Sequence, residues 1–229
     1  MKSRETRAED LKRWIKTHAR PATPLVARYK EYREAYTHLN HKIMKRCLSR
    51  QTLMHSASLL GIAWGKTLIF ESEDQMSTLM DFALHEHRVR GRNAIQTYVE
   101  EVGWENDVEK SILSSLLGTR TSLFQVLSIS EREPVLEMRD LLSGGGAAVI
   151  DLAFSASARP GVLMFLRLIP FGDLHMTSGM AFAFPGFQRE TLLRDYRKEA
   201  RRMKGNREMK RFLFFFRQST LRGIDVTYL

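Results

Sequence analysis

The hydrophobic period of this 229-residue chain changes once, near Ser122, and that change limits the folds open to it. Before it, apolar residues recur at steps of three and four, the spacing of amphipathic helices; after it they alternate, the spacing of strands. The segregation predicts an α+β protein: a helical region over 1–120, a small β module over 121–186 and a basic helical tail over 187–229 packing on the rest.

In the helical region, Leu11, Trp14 and Ile15 share a face, and Pro21 and Pro24 end that segment. Leu25, Tyr29, Tyr32, Tyr36, Leu39 and Ile43 then form a seam suited to packing on another helix. Arg28, Lys30, Arg33 and Arg46 flank it. Two uses fit the seam: a helix contact inside the chain or between copies, or a platform of tyrosines and arginines for bases and phosphates. Leu53 to Trp64 is helical and ends near Gly61. The stretch Gly61-Ile62-Ala63-Trp64-Gly65-Lys66-Thr67 imitates a nucleotide-binding loop but is one residue short. It also follows a helix and leads into a strand, the reverse of a P-loop's setting.

Further helices are expected from Ser72, where Gln75 completes a capping box, from Asn93, and over Glu105–Leu117. Asp81-Phe82-Ala83-Leu84-His85-Glu86-His87-Arg88 gathers two carboxylates and two imidazoles. On a helix His85 and His87 point about 200° apart and cannot share an ion. Asp81 and His85, four apart, could supply two metal ligands with others from elsewhere. Alternatively Asp81 pairs with His85 or Arg88 on a solvated face and His87 lies at the edge of the core.

After Ser122 the chain reads as five short strands: Phe124–Ile129, Val135–Arg139, Ala147–Leu152, Val162–Ile169 and Leu174–Phe184. Their tight turns predict a closed or nearly closed antiparallel barrel. The glycines of Ser143-Gly144-Gly145-Gly146 precede a strand, not a helix N-terminus, so they make a plain loop. Ser178 lacks the Gly-x-Ser-x-Gly setting of a nucleophile.

Charge follows the same division. Residues 1–50 carry 14 Lys+Arg against 5 Asp+Glu, residues 51–140 carry 8 against 14, and residues 187–229 carry 12 against 5. The cationic ends predict attraction to a polyanion. In the tail, Arg197, Arg201, Arg202 and Lys204 surround an apolar stripe of Leu192, Leu193, Tyr196, Ala200 and Met203. The later run Phe212-Leu213-Phe214-Phe215-Phe216 is apolar all round and is expected to be buried. Cys47 is the sole cysteine, which excludes an intrachain disulfide and a cysteine-based zinc finger. A charged start without an apolar segment behind it, and no run of 18 apolar residues, predict a cytoplasmic chain without a transmembrane segment.

From Leu79-Met80-Asp81-Phe82 through Arg90-Gly91-Arg92-Asn93-Ala94-Ile95-Gln96-Thr97-Tyr98, and from Ser122-Leu123-Phe124 through Arg139-Asp140-Leu141-Leu142-Ser143-Gly144 to Arg159-Pro160-Gly161 and Arg167-Leu168-Ile169-Pro170-Phe171-Gly172, the chain resembles uncharacterised bacterial proteins. These join a helical N-terminal part to a small β module, and relatives of that module carry a SEC-C zinc motif. The resemblance spans roughly residues 50–185 and implies an intracellular two-part protein; with one cysteine here, no zinc site carries over. Three functions are open at this stage. One is a non-enzymatic protein binding nucleic acid or an acidic protein through Arg28, Lys30, Arg33, Arg46, Arg197, Arg201, Arg202 and Lys204. The second is a module assembling into homo-oligomers through the Leu25–Ile43 seam. The third is a metal-dependent enzyme at Asp81 and His85, with Glu86 and His87 beside them. No cofactor is expected.

Overall fold

A computed structural model describes residues 23–70, 72 and 74–224. The expected segment around Leu11, Trp14 and Ile15 lies outside them. The first helix, α1 (Pro24–Cys47), begins where Thr23 accepts a hydrogen bond from the Val26 amide and Pro24 occupies the first turn. Lys45 and Arg46 close it at the negative end of its dipole. α2 (Arg50–Leu60) stops at Gly61, whose φ of 77° is the left-handed conformation that ends helices. A minimal hairpin of β1 (Ala63–Trp64) and β2 (Thr67–Leu68) occupies the stretch that imitates a nucleotide loop. α3 (Asp74–His85), α4 (Ala94–Glu101) and α5 (Asp107–Leu117) follow. Asn93 and Gln96 form a complete capping box on α4.

The strands are β3 (Thr121–Ile129), β4 (Val135–Asp140), β5 (Gly146–Ile150), β6 (Leu163–Phe171) and β7 (Leu174–Phe184). They close into a barrel in the order β3-β4-β5-β7-β6. The barrel is mixed, not antiparallel as the turns suggested: β5 and β7 run parallel, with Val149 opposite His175 and Ile150 opposite Met176. A crossover is the reason. The chain leaves β5 through a short helix, α6 (Leu152–Ser157), to reach β6, and the β6–β7 hairpin then lays β7 beside β5 in the same direction. Asp151 holds this crossover. Its carboxylate accepts from the amides of Ala153 and Phe154 at the start of α6, and from the Thr177 hydroxyl of β7 at 2.6 Å.

The tail is two helices, α7 (Arg189–Ala200) and α8 (Arg207–Arg222). Three apolar clusters hold the parts together. Phe124, Val126, Leu136, Met138, Val149, Met164 and Leu166 fill the barrel, with Phe154 of α6 among them. The outer face of β6 and β7 is covered by α2, α3, α7 and α8; there the rings of Phe165 and Phe215 stack at 4.4 Å. This is where the aromatic run of α8 is buried: Phe212, Leu213, Phe215 and Phe216 are each under one-tenth exposed. In the third cluster Tyr29, Tyr36, Leu39 and Ile43 of α1 meet Ile95, Tyr98, Ile112 and Leu116, as well as Ile169, Phe171 and Met176 of the barrel. Tyr29, Tyr36, Leu39 and Ile43 of the α1 seam are therefore covered by the chain's own helices and strands. The helical region, β module and tail share the cluster around Phe165, and the helical region and β module share the one around α1.

Candidate nucleic-acid interface and the buried charge cluster

The residues from Asp81 to His87 lie in the interior, not on a wet face. Along β6 the outward side chains are Phe165, Arg167 and Ile169, so Arg167 points out of the barrel into the helix layer, next to a break in the β6–β7 register. A guanidinium only 1% exposed demands partners. Two carboxylates supply them. Arg167 Nε donates to Asp81 at 3.2 Å, and Nη2 donates to Asp81 at 3.0 Å and to Glu86 at 2.6 Å.

Their titration follows from this geometry. Burial works against the Asp81 carboxylate, but Arg167, His85 and a hydrogen bond from Ser178 outweigh it and hold its pKa below the ordinary value. Burial pushes the Glu86 carboxyl up, and Arg167 offsets only part of that. Burial, then the nearby Arg167 charge, lowers the His85 imidazole to about 3, so it is neutral. Burial also opposes the Arg167 charge, but the two carboxylates outweigh it and raise its pKa.

A cleft of about 340 Å³ between α1 and α3 reaches this cluster and is lined by Arg33, Asn40, Asp81, His85 and Ser178. Asp81 and His85 do meet here, as their spacing predicts. However, both Asp81 oxygens already accept from Arg167, and among the described residues no group of three His, Cys, Asp or Glu side chains is placed to hold a metal ion. His87 lies elsewhere, with its Nε2 2.8 Å from Nδ1 of His55 on α2.

The predicted cations divide into two groups. On α1, Arg28 lies over the Phe171 ring at 4.7 Å, and Arg33 lies over Tyr36 and donates to the Thr177 carbonyl, so both fasten α1 to the barrel. Lys30 and Arg46 are exposed. The acidic middle of the chain folds back on this helix: Lys42 bonds both Glu105 and Glu109 at 2.7 Å. The second group differs. Arg194, Arg197 and Lys198 lie on α7, and Arg201, Arg202, Lys204 and Arg207 continue past its end; all seven are exposed. The apolar stripe turns inward, with Leu192 and Leu193 buried. α1 and α7 pack into different clusters, so the ends are not united by a shared core.

Two features escape sequence reading. Phe187, in the 3-10 turn just before α7, is 85% exposed, an unusual position for a large aromatic ring, and only the Pro-Gly break before it hints at a surface turn. Arg167 stands out as the one charge in an apolar strand, yet its partners lie 86 and 81 residues away.

A family model of unknown function, DUF7986, matches residues 24–229. The chain belongs to that family. The match takes in α1, the barrel and both tail helices of this DUF7986 protein, so these parts form the family's unit. No curated protein and no solved structure matches the chain. No helix among the described residues is long and apolar enough to cross a membrane.

Proposed function

We propose that this DUF7986 protein is a non-enzymatic binding protein of the bacterial cytoplasm that contacts nucleic acid through the cationic end of α7. One observation carries the reading: seven exposed basic residues run from Arg194 on α7, through the link after it, to Arg207 at the start of α8. Of these, Arg194 is engaged by its neighbour Asp195 at 3.3 Å. Phosphate contacts by such residues supply most non-specific affinity for nucleic acid. Exposed Phe187 at the start of the same helix offers a base a stacking surface. The α1 cations contribute less, because Arg28 and Arg33 hold the barrel and Lys42 is neutralised.

The barrel is the scaffold. Five-stranded barrels of the oligonucleotide-binding type use the face of their second and third strands. Here that face, on β4 and β5, exposes Glu137 and Arg139 side by side with Gly146 and carries no net charge. A barrel does not fix function. An acidic protein is the competing ligand for the α7 surface.

The test is fluorescence anisotropy of labelled single- and double-stranded oligonucleotides, with polyglutamate as a competitor. The expected result is micromolar binding at about 50 mM salt that weakens steeply and log-linearly as salt rises. Absence of binding at that salt, or displacement by polyglutamate at a lower charge concentration than by unlabelled oligonucleotide, removes the nucleic-acid reading.

A further inference from the structure

A second cavity, of about 320 Å³, lies where the start of α2 meets the start of α4. Ser49 and Thr52, from the cap and first turn of α2, line it, as do Asn93 and Ala94 from the cap and first turn of α4. In each helix the capping side chain satisfies the amide of the third residue. Of the residues that supply the first and second amides, Arg50, Gln51, Ala94 and Ile95, Ala94 lines the cavity and the other three do not. Both helix starts, the positive ends of their dipoles, border this space. The loop between α3 and α4 adds Arg90 and Arg92 to the wall. Arg92 is shared with Glu100, while Arg90 is exposed and forms no ion pair among the described residues.

An independent observation calls for an occupant. The His87 ring lines the same cavity, is 6% exposed, and has its Nδ1 buried with no hydrogen-bond partner. Its other nitrogen is bonded to His55 Nδ1. When His55 donates in that bond, the His87 proton sits on Nδ1 and makes it a donor awaiting an acceptor. We propose that this cavity binds a phosphate monoester, held by Arg90, by His87 and by the two helix starts. Its volume falls at the small end of the roughly 300–1,000 Å³ range of ligand pockets, which suits a phosphorylated small molecule or the terminal phosphate of an oligonucleotide.

The remaining ionisable groups around the site are Cys47 and Glu101, and Glu101 is the one carboxylate among the described lining residues set against Arg90 and Arg92. Burial, and then Glu101, raise the Cys47 thiol pKa, so Cys47 is uncharged. Glu101, at the opposite end of α4 from its cap, also lines the cavity. Burial, and then His55, lower the His87 pKa, so its ring acts as a neutral donor.

The test is a titration of the whole chain with inorganic phosphate, followed by amide and imidazole NMR, against chloride at equal ionic strength. The expected result is saturable movement of the Ser49, Thr52, His87, Asn93 and Ala94 resonances, with the His87 proton fixed on Nδ1. Arg90 has a φ of 52°, which asparagine tolerates, so Arg90→Asn removes the charge without straining the backbone. It is expected to weaken phosphate about tenfold or more, the loss of one charge-assisted contact. Glycerol phosphate binding more tightly than a 5′-phosphorylated oligonucleotide assigns the site to small molecules; the reverse order assigns it to nucleic-acid ends, and either supports the proposal. Shifts equal to those with chloride, or an unchanged affinity in Arg90→Asn, overturn it. That failure leaves the α7 surface untouched, since no residue is shared between them.

Discussion

Replacing Arg167 with methionine keeps an apolar stem but removes the charged head and strands two buried carboxylates. Asp81 is 7% exposed and Glu86 3%, and both bond the guanidinium in the wild type. Removing one member of a buried ion network costs about 3–5 kcal/mol. In a chain of this size each kcal/mol moves the melting point about 2–4 °C, so Arg167→Met is expected to melt roughly 10 °C lower. The loss depends on pH. In the wild type Arg167 holds Asp81 below its ordinary pKa, so Asp81 contributes stability above about pH 3.9 and loses it as pH falls through its lower folded value. Glu86 is raised, so its contribution is present below about pH 4.3 and is lost as pH rises through its folded value. Without Arg167, burial raises both, and both take up protons well above pH 4. The deficit of the variant is therefore largest near pH 8 and shrinks toward pH 5. Urea unfolding followed by circular dichroism at both values measures it. The triple variant Asp81→Leu, Glu86→Leu, Arg167→Met removes every stranded charge and is expected to recover most of the loss. A deficit under about 1 kcal/mol, or one equal at pH 5 and pH 8, refutes this account of the cluster.

Other consequences are open to direct measurement. His85 has a folded pKa of about 3 against the ordinary 6.5, so its contribution to stability is complete above about pH 6.5 and is lost as pH falls toward 3. An NMR titration should find its ring neutral at pH 5, and a midpoint above 6 would contradict its burial. Gly186→Ala would place a Cβ 2.4 Å from the Gly161 carbonyl oxygen, backbone against backbone, so a loss of about 1–3 kcal/mol is expected in thermal unfolding. Asn93→Ala removes the capping box of α4 and should cost about 1 kcal/mol in the same assay.

The sequence reveals the strands and caps because each rests on neighbours. Val135–Arg139 alternates and becomes β4; Asn93 and Gln96, three apart, find each other. Gly61 stops α2 by its own backbone freedom. What failed depended on distant partners. The apolar run after Gly146 reads as one strand to Leu152, but Asp151 caps a helix there, and the Thr177 that holds Asp151 is 26 residues on. The parallel β5–β7 pairing rests on the same crossover. Asp81 reads as a solvated helix residue because nothing within a few residues buries it; the partner that draws it inward is Arg167 on β6. The α1 seam is legible as a packing stripe, but periodicity carries no record of whether the partner belongs to the same chain.

The account rests above all on α7 as the surface that meets a polyanion. The most direct measurement compares the salt dependence of oligonucleotide binding by the wild type and by the Arg197→Ala, Arg201→Ala, Arg202→Ala variant. These three side chains are exposed, so the fold should be unaffected. The slope of log affinity against log salt is expected to fall by about 0.7–0.9 for each lost phosphate contact, or roughly 2–3 units in all, with at least tenfold weaker binding at about 100 mM salt. An unchanged slope and affinity would place the contact elsewhere and contradict the account.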